Sequence, residues 1–531
     1  MISSIGNVNA AVTRTRVRSY TGASVFWVAW LVTLGIHVAL AMSLSPFGDE
    51  AWYWQESRAL DWSFSDIPVA TACLIRAGEA LFGHGVFGMR SLFLLQGALI
   101  PLILMRMSRR LFGDAAGWRT GLLALALPLL GLMGIFALPD VPLTFFTVIA
   151  LDQLERAART NRTSAWVSLG FALAALWLTH YRAAVVFAAG ICFLTLTSRG
   201  RATWHNPRLW IALFVSCLGL VPMLIFNVEH QWVALHFQVV ERNPWSFHGD
   251  AITEPIEQAI ACTPLFYLLL LWVAWRCVRS SSRALWDLLA CCAVAPLLMF
   301  FVFGFFADDV RFRLHWPIPG YLPLLVALPV LVQASWRNSA MRWFVTSSLA
   351  LLTIGLGLAY IYLGSATTPV LAERLASVKA FPEHFVGWND AADRTREILA
   401  TLPADTALVA DNFMLAAELD FAFDGNRVVY SLDHPINTKH GRSPQLALWK
   451  RDEMALRELG KRPVLLVSEP TARRERERME WMQSLCMRVA DIRAVSSLDV
   501  FGGRKKYRWF GGVVPNPDDA VETGCASAIL Q

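Results

Sequence analysis

Between Val25 and about Leu363 the chain is a succession of apolar runs broken by short polar segments. The first, Val25–Leu44, carries no charged residue and reaches the ~20 apolar residues that a bilayer crossing requires. Inside hydrocarbon every backbone polar group must be satisfied within the chain, so such runs can only become helices. With 55% hydrophobic and only 17% charged residues, an ordinary soluble domain is excluded. The ~20-residue criterion gives about eleven spans, with a range reaching about thirteen. They fall at 25–44, 86–105, 118–136, 140–153, 165–179, 183–197, 209–227, 257–275, 285–306, 316–333 and 342–363. The segments 140–153 and 165–179 are short for a crossing, which tilt, kinks at Pro128 or Pro142, or burial in protein would explain.

Basic residues in short loops set orientation. Arg14, Arg16 and Arg18 precede the first span, Arg106, Arg109 and Arg110 follow the second, and Arg156, Arg159 and Arg162 follow the fourth. Further clusters are Arg199/Arg201/Arg208, Arg276/Arg279/Arg283 and Arg337/Arg342. They occupy alternate loops, which places those loops and the N-terminus in the cytoplasm. The loops 45–85, 139–140, 180–182, 228–256 and 307–315 then face outward, as does everything after about 364. Arg311 and Arg313 break the pattern by lying on the outer side. Ala39-Leu40-Ala41 resembles a signal-peptidase site, but the apolar run before it exceeds the ~7–15 residues of a signal core. The net charge of +6 reflects orientation and contact with anionic lipid, not nucleic acid.

The texture changes after Tyr362, which divides the chain into a membrane domain, 1–363, and a soluble domain, 364–531. Ala407–Ala410, Arg427–Tyr430 and Pro463–Val467 read as buried strands. Asn412–Leu419 and Gln445–Leu459 read as helices between them, an alternation that predicts an α/β domain with a largely parallel sheet. It carries no Gly-rich phosphate loop. Of nine cysteines only Cys486 and Cys525 fall in this domain, where an oxidising compartment would allow them to pair.

Asp49 and Glu50, followed by Trp52, Tyr53 and Trp54, come directly after the first span, and Asp66 lies in the next turn. Carboxylates at a membrane boundary are costly to keep and point to function. The aromatics suit the headgroup layer. The stretch 46–68 thus reads as an active-site loop on the membrane surface.

Gly48-Asp49-Glu50-Ala51-Trp52-Tyr53-Trp54, Leu60-Asp61-Trp62, Leu138-Pro139-Asp140-Val141-Pro142-Leu143 and His315-Trp316-Pro317-Ile318-Pro319-Gly320-Tyr321 occur in that order. Gly387-Trp388 and Asp411–Leu419 follow. Together these motifs resemble the bacterial branch of the polyprenyl-phosphate-dependent GT-C glycosyltransferases, the protein O-mannosyltransferases and aminoarabinose lipid A transferases. The resemblance implies an α-helical polytopic membrane protein with a C-terminal extracytoplasmic α/β domain. It implies residence in a bacterial inner membrane and transfer of a sugar, with inversion, from a polyprenyl-phosphate carrier to an acceptor on the outer face. The acceptor is left open among lipid A, another glycolipid, a polysaccharide and a protein.

Direct displacement needs a base for the acceptor proton and groups that stabilise the departing phosphate. The resemblance assigns the base to Asp49, with Glu50 and Asp140 as further catalytic residues; helix capping is the competing role for Asp49 and Asp140. Asp49 and Asp140 are also the carboxylates that could hold a divalent metal. Asp66 sits where relatives often read Asp-His-Pro-Pro, whereas this chain reads Asp66-Ile67-Pro68-Val69. Thr179-His180-Tyr181-Arg182 stands where relatives often carry Ser-Lys-Tyr-Thr, so His180 takes the lysine position. Arg182 suits phosphate better, being always charged and bidentate, although both residues could merely snorkel at the boundary. Arg311, Arg313, His315 and Trp316 form a second outer group for phosphate or sugar contact. Arg58, Arg76 and Arg90 are explained as well by a wet loop face. A transporter of lipid-linked sugar without chemistry is the alternative, but the chain lacks the internal repeats and mid-span charges expected of one. A phosphoethanolamine-type transferase would need a larger, metal-binding outer domain.

Overall fold

The computed structural model describes the backbone of residues 3–242, 245–280, 284–306, 314–377 and 381–515, with side chains from residue 22 onward. Each of the eleven apolar segments is helical. Among the described residues five helices are long and apolar enough to cross a membrane: Gly22–Ser43, Val86–Phe112, Pro207–Glu229, Leu285–Gly304 and Ser339–Gly364. Gly249–Ala261 and Pro264–Arg279 make a sixth if counted together, although they meet at 109°. Thr163–Thr179, Ala183–Leu196 and Ile318–Ala334 are apolar but shorter. Length alone therefore supports fewer crossings than eleven.

Two prolines explain part of the difference. Pro128 has no N–H to give, so the helix Asp114–Ala126 stops before it and a separate turn, Pro128–Gly131, begins there. Pro142 sits in the first turn of Asp140–Thr160 and leaves that helix intact. Ile318–Ala334 is short because it is enclosed. It packs against Val86–Phe112, Asp114–Ala126, Pro264–Arg279 and Ala284–Gly304, and nearly all its residues are buried. Lipid gives little hydrophobic drive for helices to associate, so close packing must do it. Gly170 shows how: a Cβ there would lie 2.7 Å from the Ala212 carbonyl, so only glycine lets Thr163–Thr179 and Pro207–Cys217 approach.

The C-terminal domain holds one five-stranded sheet. In chain order its strands are β1 (Ala407–Ala410), β2 (Val429–Ser431), β3 (Pro463–Ser468), β4 (Ala490–Val500) and β5 (Lys505–Val513), arranged β2-β1-β3-β5-β4. β1 pairs in parallel with β2 and β3, but β5 is antiparallel to β3 and β4. The sheet is thus mixed rather than largely parallel, because the chain closes on a hairpin. The helix expected over Gln445–Leu459 is two helices, Ser443–Leu448 and Glu453–Arg457. Lys450 takes a positive φ of 54° at the break, and Asp452 caps the second piece through the Ala455 N–H. Cys486 caps the helix Glu475–Leu485; it is disulfide-bonded, and Cys525 lies outside the described residues.

The acidic–aromatic stretch is a helix, Gly48–Arg58, not a loop. Trp52 and Trp54 are fully buried and Tyr53 nearly so, which corrects their assignment to the headgroup layer. They seal the joint between the domains: Trp52 packs on Phe413 and Trp449, and Trp54 on Phe421. Gly48 allows this approach, since a Cβ there would lie 2.6 Å from the Met414 side chain.

Candidate active site

The same joint encloses a polar cavity of about 250 Å³. The helix Gly48–Arg58 gives it Asp49 and Tyr53, the following turn Asp66, and the start of Asp140–Thr160 gives Asp140. The turn between two membrane helices adds His180 and Arg182, further turns add Arg242, His315 and Trp316, and the C-terminal domain adds His440 and Arg442.

One wall is organised by Arg442, whose side chain is 3% exposed. Its Nη2 reaches Asp49 Oδ1 at 3.2 Å and Tyr53 Oη at 3.4 Å, and its Nη1 donates to Asp66 Oδ2 and lies 3.9 Å from Glu56 Oε1. The guanidinium also stacks within 5.2 Å of Trp52, Tyr53 and Phe413. Asp66 and the other carboxylates outweigh the cost of burial and hold Arg442 firmly charged. Two staples fix this register: Ser65 Oγ donates to the Gly441 carbonyl at 2.6 Å, and Gln445 Oε1 accepts from Ser65 N at 3.0 Å. Gly441 itself has φ +73°, and a Cβ there would strike the Phe237 ring.

A second cluster in the same cavity is organised by Asp140. Arg182 Nη2 donates to Asp140 Oδ1 at 2.5 Å, and His315 Nε2 lies 3.2 Å from the same oxygen. Arg182 and Arg242 both lie against Trp316, at 5.4 and 5.6 Å from its ring. His180 accepts the Arg182 backbone N–H on Nδ1 at 3.0 Å, which puts its own proton on Nε2. Burial, then the Arg182 charge, push this imidazole well below its usual range, so it is neutral.

The expected site residues therefore divide. Asp49, Asp66, Asp140, His180, Arg182, His315 and Trp316 share the cavity. Glu50 does not: it is fully buried, takes Arg90 Nε and Nη2 at 2.8 and 2.6 Å, and accepts the Ala137 N–H at 2.7 Å. Arg90 in turn donates to the Ala41, Leu44 and Ser45 carbonyls, so the Glu50–Arg90 pair ties the end of the first helix to the loop before Asp140. Arg311 and Arg313 lie outside the described residues. Capping is not the role of Asp49 or Asp140, since Phe47 and Pro139 occupy the cap positions. Asp49 and Asp140 are each engaged by an arginine, and no cluster of three His, Cys, Asp or Glu that could hold a metal occurs among the described residues. Sequence reasoning missed Arg242, His440, Arg442 and Glu56. Only Glu56, one helical turn from Trp52 and two from Asp49, carried a local signal.

Residues 66–226 match the family profile described as dolichyl-phosphate-mannose-protein mannosyltransferase. A lipid A galacturonosyltransferase, RgtD of Rhizobium johnstonii, is 28% identical over 324 residues, covering 59% of this chain and 61% of that protein. The chain thus aligns with about three fifths of that relative's length. The crystal structure of ArnT from Cupriavidus metallidurans in the apo state superimposes with a TM-score of 0.63 at 16% identity, covering 93% of this chain and 98% of ArnT. The same protein bound to undecaprenyl phosphate gives 0.63 at 16% identity over 92% and 97%. The chain thus has the fold of ArnT, carries helices long and apolar enough to cross a membrane, and over residues 66–226 is similar to the mannosyltransferase family.

Proposed function

We propose that the protein transfers a sugar from a polyprenyl-phosphate donor to a hydroxyl or phosphate of a lipid A-like glycolipid, on the outward side of the bacterial inner membrane. The observation that carries this reading is the pairing, in one cavity, of the Asp49 carboxylate with a wall of cations around Arg182. Arg442 contacts only Oδ1 of Asp49, and no described residue hydrogen-bonds the second oxygen. That oxygen takes the acceptor proton as the acceptor attacks the anomeric carbon. The bond from that carbon to the donor phosphate breaks with inversion, and Arg182 and Arg242 stabilise the departing polyprenyl phosphate. His180, neutral and protonated on Nε2, can donate to a phosphate or sugar oxygen without adding charge.

A second, largely apolar cavity of about 90 Å³ lies between the membrane helices, walled by Leu151, Leu173, Phe187, Pro296 and Pro319. Pro319 is three residues beyond Trp316, so this cavity adjoins the polar one and suits the first isoprene units of the carrier. The lipid A-like acceptor is favoured because RgtD is described as a lipid A galacturonosyltransferase.

The test is Asp49→Asn in purified protein supplied with donor and acceptor. The substitution keeps shape and removes the proton acceptor, so release of polyprenyl phosphate should stop while the melting temperature stays unchanged. Near-normal release would remove Asp49 as the base. Sugar movement across a vesicle without any release of polyprenyl phosphate would support transport instead.

A further inference from the structure

The C-terminal domain holds a second polar pocket, of about 440 Å³, on the far side of the short helix Pro435–Lys439. Pro435 and Thr438 face it, while His440 and Arg442, just beyond the same helix, face the active-site cavity. Its wall is Trp481, only 5% exposed, with the Arg473 guanidinium 4.1 Å and the Arg488 guanidinium 5.0 Å from its ring. The stacking holds two cations in fixed positions at little conformational cost.

The hydrogen bonds around His434 do not close. Its Nδ1 accepts the Ile436 N–H at 3.0 Å as the cap of the helix, while its Nε2 faces Arg473 Nε–H at 2.7 Å. Burial, reinforced by Arg473 and Arg488, pushes His434 down to about 3, so the ring is neutral and has one lone pair for two incoming donors. With Nδ1 committed to the backbone, the ring proton sits on Nε2 and points at another N–H. Arg473 Nη2 also lacks a hydrogen-bond partner, and no carboxylate lies within ion-pairing distance of Arg473 among the described residues. Arg488 is paired with Glu453. Donors are thus in excess on this wall, a deficit that one oxyanion would fill. Asp433 and Glu480 line the same pocket and are the acceptors that sugar hydroxyls would use.

We propose that Arg473, Arg488 and the Nε2–H of His434 form a subsite for the phosphate or carboxylate of a sugar. It lies one short helix away from the reaction cavity and, on the reading above, grips an anionic group of the acceptor glycan while a second group reaches Asp49. Binding requires a small rotation of Arg473 that turns Nε away from His434 and toward the anion.

Glucosamine 1-phosphate is the probe, titrated calorimetrically into the full-length Asp49→Asn protein in detergent, so that binding is read independently of turnover. Saturable binding is expected, weakened at least about tenfold by Arg473→Gln, which is ~1.4 kcal/mol. Arg473→Lys should fall between, since it keeps charge without the fork. Inorganic phosphate should bind more weakly than the sugar phosphate, and vesicles of phosphatidylglycerol should not compete. Equal affinity for inorganic phosphate, or competition by the vesicles, would overturn the sugar assignment. Unchanged affinity in Arg473→Gln, with an unchanged melting temperature, would overturn the site. If the site binds but the wild-type protein releases no polyprenyl phosphate, the subsite stands and the transferase reading fails.

Discussion

Glu56 gives the sharpest test of how the acidic wall is charged. It is fully buried, accepts Trp52 Nε1–H on Oε1 at 2.8 Å, and lies 3.9 Å from Arg442 Nη1. Glu56 Oε2 and Asp66 Oδ1 are both buried without a donor. One proton shared between these oxygens satisfies both. It belongs to Glu56, because Asp66 makes the direct contact with Arg442. Burial, then the Asp66 charge, push the Glu56 carboxyl well above the usual range. Glu56→Gln should therefore be nearly silent, since its amide donates to Asp66 and accepts from Trp52, with a cost within about 1 kcal/mol. Glu56→Ala leaves two buried polar groups unpaired at about 1–3 kcal/mol each, hence roughly 2–6 kcal/mol. The pH dependence carries a sign. A carboxyl raised on folding contributes stability that is complete below its unfolded value, 4.5, and is lost as pH rises toward its folded value. Glu56→Gln removes that loss, so its melting temperature relative to wild type should climb as the pH rises above the unfolded value of 4.5. Thermal scans of both variants across that range, with turnover at each pH, decide the matter. A Gln variant as damaged as the Ala variant, or a difference that is flat with pH, would refute the shared proton.

Arg182→Ala should raise the apparent KM for donor by about 10- to 150-fold, the value of a charge-assisted hydrogen bond, while the acceptor KM stays put; an effect confined to acceptor would move Arg182 out of the phosphate role. Glu50→Gln should cost about 3–5 kcal/mol because Arg90 is left buried and unpaired, yet turnover per folded molecule should persist; loss of turnover in a stable protein would instead place Glu50 in the chemistry. Cys486 should appear in a disulfide-linked peptide with Cys525 in a non-reducing tryptic digest, closing a loop of about 40 residues worth roughly 3–4 kcal/mol. Two alkylatable thiols would end that pairing.

The helices were legible because the bilayer leaves backbone no alternative, and hydropathy reports that constraint directly. What hydropathy could not report is whether an apolar residue meets lipid or protein. Trp52 and Trp54 look like headgroup anchors by composition, but they are covered by Phe413, Trp449 and Phe421 from the other end of the chain. Arg442 was illegible for the same reason. Its partner Asp49 is 393 positions away, and nothing in His440-Gly441-Arg442 marks it among the many other arginines. The hairpin of β4 and β5 escaped because β4 alternates exposed and half-buried residues and shifts register twice against its partner. Glu50 misled because adjacency to Asp49 suggests a shared task, whereas successive helical positions point about 100° apart.

The two clusters in the cavity are built differently: Asp49 and Asp66 gather around Arg442, and Arg182 and His315 around Asp140. If Glu56 holds a proton, Arg442 faces the two charged carboxylates Asp49 and Asp66, and its wall keeps an excess of negative charge. Elsewhere in the cavity Asp140 is paired with Arg182, and Arg182 and Arg242 both lie against Trp316. On the proposed reading, a donor phosphate would seat at Arg182 and away from the carboxylates around Arg442, with the opposite face of the sugar toward Asp49. On that reading, base and leaving group would then lie on opposite sides of the anomeric carbon, the arrangement that inversion requires. Were Glu56 charged as well, three carboxylates would share one arginine, and repulsion would push a proton onto the least exposed of them. Burying Glu56 behind Trp52 thus favours its protonated form and leaves the Arg442 guanidinium to Asp66 and Asp49.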